Sequence, residues 1–498
     1  MKTQAATKAY RVRSSLNHPI IDADGHMIEF APPVEDYVRE IAGSKCVVVF
    51  GEFHRRFHGE EDQRRLFTRQ VGPAWWNYPN KNTYDRATAA LPKLLHQRME
   101  ELGMDFSVLF PSMSIVQVQR AGSPKQNSNV DPEMRRIRAR AVNAYRSDIC
   151  REFSDRLAPA AEIPMETPEA AIEDLEYAAK KLGMKAISIE STLRTIPEYE
   201  QKYPGIRAGA IRSDTKGAWL DTYGIDSQYD YDPFWAKCLE LKIAVMSHGS
   251  GRGFTGRSSP TNYMYNHIGH FADAGEALCK SLFFGGVPRR FPKLKFAFLE
   301  GGVGWAFRMY CDTIGHWEKR GKHGIKNYNP ANLDRSLYQE LHARFGGPQV
   351  QKRLDQVLRV GGGLAVEPVP DDELLDEFRL AKIERKQDIK DVFDRNFFFG
   401  CEADDHCNAL AFQTKLAPMG TRLNAMFSSD IGHWDVPEMG DVVPEAYELV
   451  EKGLLTEADF RKFTFSHAVT FFAGVDPDFF KGTAVEQAVE KELQSLGR

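Results

Sequence analysis

The sequence predicts a single (β/α)8 barrel of the α/β class, a TIM barrel with large loop insertions. Eight short, continuously apolar segments start near residues 20, 106, 157, 185, 243, 294, 396 and 424. Segments with helical spacing of apolar residues separate most of them, and polar residues follow many of them directly. Strands that are apolar throughout are typical of a parallel sheet covered on both faces, and eight βα units close into a barrel.

The first elements are separated by clear breakers. Residues 1–18 are a polar arm, and Pro19–His26 is an apolar strand that runs into polar residues. A helix is expected to end near Gly103, because glycine commonly terminates helices. The apolar run Phe106–Phe110 follows and stops at Pro111, which predicts the second strand.

The rest of the chain alternates in the same way. Helical patterns cover residues 132–156, 167–182, 233–241 and 270–284, and the strands they separate cover 157–161, 185–190, 243–248 and 294–300. A long polar helical stretch then precedes the last two strands, at 396–400 and 424–430. This alternation is typical of βα units in a parallel sheet.

The length of 498 residues exceeds the ~250 residues of a typical barrel of this kind. We assign the surplus to insertions at about 31–95, 192–230 and 316–390 within one barrel domain at 19–475. The arm at 1–18 precedes it, and a helical tail at 476–498 follows it.

The composition excludes several classes of protein. The net charge is -4, which provides no basic field for nucleic acid, and 42% hydrophobic with 27% charged residues is ordinary for a soluble protein. No apolar run approaches the ~18–20 residues of a membrane-spanning helix. The polar N-terminus is no secretory signal, and the seven cysteines form no CxxC pair, so a cytoplasmic setting is expected.

Polar residues follow most of the predicted strands at their C-terminal ends, where barrel enzymes place their active sites. Asp24 and His26 stand at i and i+2 of the first strand, so strand alternation aims both side chains into the barrel mouth. The other strand-end residues are Glu190, His248, Glu300, Glu402 and Asp430. Imidazole and carboxylate together are suitable ligands for zinc, manganese or iron.

Six sequence blocks occur in the order found in one family, and three of them are IIDADGHMIEF, DPFWAKCLELKIAVMSHGSG and MFSSDIGHWDVP. From Pro19 to about Val475 the chain resembles the amidohydrolase-related family 2, the branch of the amidohydrolase superfamily containing amino-carboxymuconate semialdehyde decarboxylase and dihydroxybenzoate-type decarboxylases. The resemblance implies a metal-dependent barrel enzyme. It does not fix the reaction, because one fold supports many.

The resemblance also implies a set of metal ligands. His26 matches the second histidine of the family's strand-one H-x-H pair, and Asp24 stands in place of the first. His248 matches the histidine after strand five, and Asp430 the aspartate after strand eight. Glu300 stands where a strand-six histidine is often found. This set is richer in oxygen, which favours manganese or iron without excluding zinc, as one ion or two.

Further residues are candidates with simpler alternatives. Glu29 is a candidate ligand, or a carboxylate at a helix N-terminus. We expect Asp430, Glu300 and His270 to be catalytic, although Asp430 would also suit a helix N-cap and Glu300 an arginine salt bridge. His267 shares a helix face with His270, and His433 would lie just outside the metal.

The expected reaction is the hydrolysis or decarboxylation of a small organic acid or amide. In hydrolysis Asp430 would take the proton of a metal-activated water; in decarboxylation the metal would hold the substrate carboxylate. Two alternatives remain: a non-haem iron or iron–manganese oxygenase, and a catalytically silent partner subunit that lost the first histidine.

The expected partners are a small-molecule substrate and other protein subunits, with no nucleic acid and no membrane. The region near residues 31–95 contains several aromatic side chains that could pack on a neighbouring subunit. These side chains are Phe53, Phe57, Trp75 and Trp76. We therefore expect a homo-oligomer or a complex with a related subunit.

Overall fold

The computed structural model of the chain describes residues 7–47, 79–112, 132–195, 202, 218–249, 259, 261–358 and 375–497. Within them, eight parallel strands form one sheet in the order β1-β2-β3-β4-β7-β8-β9-β10. The strands are β1 (Ile21–Met27), β2 (Phe106–Pro111), β3 (Leu157–Glu162), β4 (Ala186–Ile189), β7 (Val245–Ser247), β8 (Phe296–Phe298), β9 (Phe397–Glu402) and β10 (Asn424–Ser428). They fall at the eight predicted positions.

The sheet curves until its first and last strands meet. Just beyond β10, the backbone N–H of Asp430 donates to the carbonyl of Asp24 at 2.9 Å, and the N–H of His26 donates to the carbonyl of Ile431 at 3.0 Å. These bonds join β1 to the chain that follows β10. The predicted (β/α)8 barrel is therefore confirmed.

Helices connect the strands and cover the sheet, and several carry sequence signals at their ends. The Thr167 side chain, for example, caps one helix by accepting from the N–H of Ala170. In the described residues the helices are α1 (Lys8–Ser15), α2 (Ala31–Ala42), α3 (Thr83–Ala90), α4 (Pro92–Leu102), α5 (Pro132–Cys150), α6 (Pro168–Glu176), α7 (Asp232–Glu240), α8 (Tyr263–His267), α9 (His270–Phe284), α10 (Val287–Arg290), α11 (Gly304–Arg320), α12 (Arg335–Phe345), α13 (Pro348–Gln351), α14 (Lys386–Asn396), α15 (Val442–Glu451), α16 (Glu457–Arg461), α17 (His467–Phe472) and α18 (Glu486–Ser495).

A small antiparallel sheet follows β4, in the region that the sequence presents as a loop insertion. It pairs β5 (Thr192–Thr195) with β6 (Ala218–Asp221). The buried Arg194 side chain stabilises this hairpin, because its Nε donates to Asp221 Oδ2 at 2.6 Å.

The barrel interior is filled by alternate residues of the strands, because successive side chains of a strand point to opposite faces. Phe106, Val108 and Phe110 of β2 belong to the hydrophobic cluster that fills this interior. At the start of the strands the cluster continues into C-terminal residues: Phe480 lies 5.3 Å from Phe106 between ring centroids. One end of the barrel is thus packed with aromatic side chains, and the C-terminal ends of the strands form the other.

The chain divides into two compact units, Met1–Met309 with Val392–Arg498, and Tyr310–Asp391. The first contains the barrel. In the second, Trp317 Nε1 donates to the carbonyl of Ile383 at 3.3 Å. The predicted boundaries of arm, barrel and tail stay predictions.

No helix in the described part of the chain is both long and apolar enough to cross a membrane. The aromatic side chains expected to pack on a neighbouring subunit lie outside the described residues: Phe53, Phe57, Trp75 and Trp76.

Candidate functional site

A β-bulge in β1 directs the first two site residues into the barrel mouth. Asp22 pairs with Ser107 of β2, but Gly25 pairs with Leu109, so β1 advances three residues while β2 advances two. Before the bulge, Ile21 and Ala23 face the interior cluster. After it, the inward positions become Asp24 and His26. Bulges commonly redirect side chains next to active sites.

Two histidines from opposite sides of the mouth meet at their Nε2 atoms. His26 comes from β1, His248 follows β7 directly, and their Nε2 atoms lie 3.0 Å apart. Asp24 Oδ1 lies 3.6 Å from Nε2 of His26 and 3.7 Å from Nε2 of His248. All three side chains are buried. The structure thus brings together three of the predicted ligands.

Two further carboxylates complete this group. Asp430 Oδ1 lies 3.2 Å from His26 Nε2, and Glu300 Oε2 lies 2.7 Å from His248 Nε2. Both residues adopt a left-handed backbone conformation, with φ of 58° for Glu300 and 47° for Asp430. Such a conformation costs energy in residues other than glycine and is concentrated at functional sites.

His433, which the sequence placed just outside the metal, directly contacts two of the candidate ligands. Its Nδ1 lies 2.7 Å from Asp430 Oδ1. Its ring stacks on that of His26 with centroids 3.6 Å apart. Burial lowers the pKa of His433 to about 3, so the ring is neutral at pH 7. A neutral imidazole with its Nδ1 at a carboxylate fixes the orientation of that carboxylate.

A second group of possible ligands shares Glu300 with the first. It consists of His267, Glu300 and Asp435, whose ligand atoms lie within 4.8 Å of one another. His267 Nε2 is 3.8 Å from Asp435 Oδ2. Asp435 was missed from the sequence, although it stands only five residues after Asp430 in a polar loop.

Two predicted site residues lie elsewhere. The buried Glu29 places its Oε1 3.6 Å from Nε of Arg146, whose guanidinium also donates to the carbonyls of Leu109 and Ala160. His270 contacts the ring of His267 with centroids 4.8 Å apart. Neither residue is among the groups of possible metal ligands found in the described residues.

Burial raises the pKa values of the carboxyl groups in this site. Burial raises the pKa of Asp24 well above its usual value, and the negative charge of Glu300 adds to the shift, while the charge of His248 opposes it. Burial likewise raises the pKa values of Glu300 and Asp430. Burial lowers the pKa of His26, which keeps its ring neutral and suitable as a ligand.

The donor atoms fit a divalent metal ion. Neither carboxylate oxygen of Asp24 accepts a hydrogen bond from any described residue, although the side chain is fully buried. An ionised carboxylate without hydrogen bonds in such a place costs several kcal/mol. A cation removes this cost. Imidazole nitrogens 3.0 Å apart can both reach one ion, because metal–imidazole bonds are about 2.0–2.1 Å.

Solved structures of similar proteins cover nearly the whole chain at low identity. An amidohydrolase from Mycobacterium avium subsp. paratuberculosis is 15% identical, with a TM-score of 0.48, over 92% of this chain and 100% of the other. A dihydroxybenzoic acid decarboxylase from a Polaromonas species, with bound manganese, is 15% identical over 91% and 97%, with a TM-score of 0.44. A 4-oxalomesaconate hydratase from Rhodopseudomonas palustris is 16% identical over 96% and 100%, with a TM-score of 0.43.

A family model gives a match that is independent of the coordinates. The amidohydrolase family matches residues 121–346, a range that includes His248, Glu300 and the β7 and β8 strands. This match agrees with the family that the sequence blocks indicated, and residues 121–346 are identified as similar to the amidohydrolase family.

Proposed function

We propose that the protein is a metal-dependent enzyme of the amidohydrolase superfamily that hydrolyses or decarboxylates a small organic acid or amide. One observation carries the proposal. The buried carboxylate of Asp24, whose oxygens accept no hydrogen bond from the described residues, faces two imidazole nitrogens that converge on one point. We assign Asp24, His26, His248 and Asp430 as metal ligands.

The choice of metal follows from the donor atoms. Two imidazole nitrogens with two or more carboxylates suit manganese or iron, and zinc also accepts such ligands. We propose one ion at the four ligands. The group of His267, Glu300 and Asp435 is the place for a second ion if the protein binds two.

When bound, the metal supplies Lewis-acid polarisation of a substrate oxygen. Asp430 is suited to accept a proton, because burial raises its pKa, and His433 Nδ1 orients its carboxylate at 2.7 Å from Oδ1. Glu300 has a raised pKa and is suited to deliver a proton. His270 contacts His267 rather than the ligands, so we propose that it acts through His267.

Aromatic side chains form part of the wall around the ligands. The Phe110 ring stacks on the His248 ring with centroids 5.4 Å apart, and the Phe271 ring meets the same histidine at 5.1 Å. Such contacts fix the rotamer of His248 and keep water from its face. They also provide apolar surface for a planar substrate.

The test begins with metal content. Purified protein is stripped with a chelator, reloaded separately with Mn²⁺, Zn²⁺ or Fe²⁺, and assayed on a panel of hydroxylated aromatic acids and small amides. Metal-dependent release of carbon dioxide supports decarboxylation, and release of ammonia or an amine supports hydrolysis. His248→Ala and Asp430→Asn should each abolish turnover.

The same assay separates the alternatives. Metal-dependent oxygen consumption with a substrate would identify an oxygenase. A complex that keeps full turnover when its copy of this chain carries His248→Ala would identify a silent subunit. Protein that binds none of the three metals would contradict the proposal.

We also propose a cytoplasmic protein that forms a homo-oligomer or a complex with a related subunit. The seven cysteines, which are free and form no CxxC pair, support a reducing setting. Light scattering on the purified protein measures the oligomeric state, and a monomer at micromolar concentration would contradict self-association.

A further inference from the structure

Asp22, a second buried aspartate two residues before Asp24, accepts four hydrogen bonds. Asp22 Oδ1 accepts from the backbone N–H of Ser429 at 2.9 Å and of Asp24 at 3.1 Å. Asp22 Oδ2 accepts from the hydroxyls of Ser107 at 2.6 Å and Ser429 at 2.7 Å. A carboxylate offers about four acceptor positions, so Asp22 is saturated. It has no position left for a metal ion.

We propose that Asp22 is a positioning residue, which holds the backbone of the ligands Asp24 and Asp430 in place for the metal. The inference rests on the proposed function. We call Asp22, Ser107 and Ser429 the seam cluster, because they join β1 to β2 on one side and to the end of β10 on the other.

The bulge in β1 places the seam cluster behind the metal ligands. Ser107 lies between Phe106 and Val108, which both face the barrel interior. Ser107 therefore faces outward, and so does Asp22, which bonds to it. Without the bulge, Asp22 and Asp24 would lie on the same face, because residues i and i+2 of a regular strand do.

Three of the four bonds to Asp22 come from a proposed ligand or from its neighbour in the chain, and the fourth, from Ser107, anchors Asp22 to β2. The N–H of Asp24 is one of the four donors, and Ser429 immediately precedes Asp430. The N–H of Asp430 then donates to the Asp24 carbonyl at 2.9 Å. One buried carboxylate thus fixes the backbone of two ligands that stand 406 positions apart in the sequence.

The conformation of Asp430 makes this support necessary. Its left-handed φ of 47° is unfavourable for a residue with a side chain, and it persists only if the surrounding contacts hold it. Charge-assisted bonds to a buried carboxylate are strong and do not exchange with water. Loss of the seam cluster would allow Asp430 to relax away from the metal.

The experiment measures Mn²⁺ binding to folded protein. Asp22→Asn keeps the volume but removes the charge and places an amide N–H₂ among four donors, so the two serine hydroxyls must turn from donors into acceptors and the charge-assisted bonds are lost. We expect a 10- to 100-fold weaker Mn²⁺ affinity, the range of about 10–100-fold seen when groups that orient metal ligands are changed. Titration calorimetry gives the affinity, and circular dichroism confirms the fold.

A matched control separates positioning from general stability. The buried Asn396 donates to the carbonyl of Leu294 at 2.7 Å, at the opposite end of the strands. Asn396→Ala should destabilise the barrel and leave Mn²⁺ affinity within about 2-fold of wild type, since no ligand contacts it. If Asp22 had a purely structural role, Asp22→Asn would likewise lower stability and leave Mn²⁺ affinity nearly unchanged.

Two milder variants decide the question if Asp22→Asn does not fold. Ser107→Ala and Ser429→Ala each remove a hydroxyl from the seam cluster, and each should weaken Mn²⁺ binding by about 3- to 10-fold. Wild-type Mn²⁺ affinity in both variants would overturn the positioning role of Asp22 but not the proposed function. Wild-type protein that binds no Mn²⁺, Zn²⁺ or Fe²⁺ would overturn the proposed function as well.

Discussion

The backbone N–H of Asp430 donates to the carbonyl of Asp24 across the closing seam of the barrel, at 2.9 Å. The bond joins the first strand to the chain after the last one. It also fixes the separation of the two backbone segments that each carry a proposed ligand. The same hydrogen bond therefore helps to close the barrel and brings Asp24 and Asp430 together in the candidate metal site.

Asp24→Asn is expected to separate metal binding from stability. The variant keeps the shape of the side chain but replaces a buried carboxyl group that accepts no hydrogen bond from the described residues. We expect Mn²⁺ affinity to fall by at least about 100-fold, because a ligand is lost rather than a residue behind it. The metal-free variant should melt no lower than metal-free wild type, because an isolated buried charge is unfavourable.

Calorimetric titration and thermal melts with and without metal measure both quantities. Asp36→Asn, which changes an exposed carboxylate on α2, is the matched control and should alter neither. A destabilised Asp24→Asn variant with normal Mn²⁺ affinity would contradict this prediction.

Glu29→Gln is expected to affect stability and leave metal content unchanged. Glu29 lies beside the fully buried Arg146, and its loss leaves that charge without its carboxylate. We expect the free energy of unfolding to fall by about 3 kcal/mol, the lower end for breaking a buried pair. Denaturant unfolding and metal analysis measure the two effects.

The control is Glu40→Gln, on the exposed face of α2, which should change stability by less than about 0.5 kcal/mol. Substoichiometric metal in a well-folded Glu29→Gln protein would instead place Glu29 in the ligand set, as the sequence suggested.

Gly25→Ala is expected to disrupt the seam cluster. A Cβ at this position would lie 2.6 Å from Asp22 Oδ2 and 2.7 Å from Ser107 Oγ. Because both atoms are buried, we expect a loss of about 1–3 kcal/mol in the free energy of unfolding, typical of overpacking, together with weaker Mn²⁺ binding. Gly315→Ala, where an added Cβ meets no described atom within 4 Å inside a helix, is the control and should leave Mn²⁺ binding unchanged without lowering stability.

His467 is expected to make stability depend on pH. Its Nδ1 donates to the carbonyl of Ala425 at 2.7 Å, and burial lowers its pKa from 6.5 to about 4. Between these values the unfolded chain binds a proton that the folded protein does not. The contribution of His467 to stability is therefore complete above pH 6.5 and is lost as the pH falls towards 4.

Urea unfolding at pH 7.5 and pH 5 measures this effect. Wild type should lose about 2 kcal/mol more than His467→Gln between the two, from 1.36 kcal/mol per pKa unit. Other histidines titrate in both proteins and cancel in the comparison. Equal losses in the two proteins would contradict the assignment.

The barrel could be predicted because each of its strands corresponds to a continuous apolar segment of the sequence. A parallel strand covered on both faces needs apolar residues throughout, and eight such runs separated by helical patterns admit few other folds. Residues after those strands must lie at one end of the barrel. That is why Asp24, His248, Glu300 and Asp430 were recognisable as a group.

Other features of the site depend on distances between residues far apart in the chain. The β1 bulge, which puts Asp22 and Asp24 on opposite faces, appears only when β1 is paired with β2. Glu29 lies beside Arg146 because of helix packing that no local pattern encodes. The stacking of His433 on His26 likewise requires the closed seam.

The sequence by itself determined the fold and which residues stand at the strand ends, because local apolar patterns set both. Only the tertiary structure decided how each carboxylate is used. Asp22 and Asp24 are the same residue type two positions apart, yet Asp22 is saturated by four donors and Asp24 accepts from none of the residues that the structure describes. Their difference arises from the strands that surround them, and so it appears only in the closed barrel.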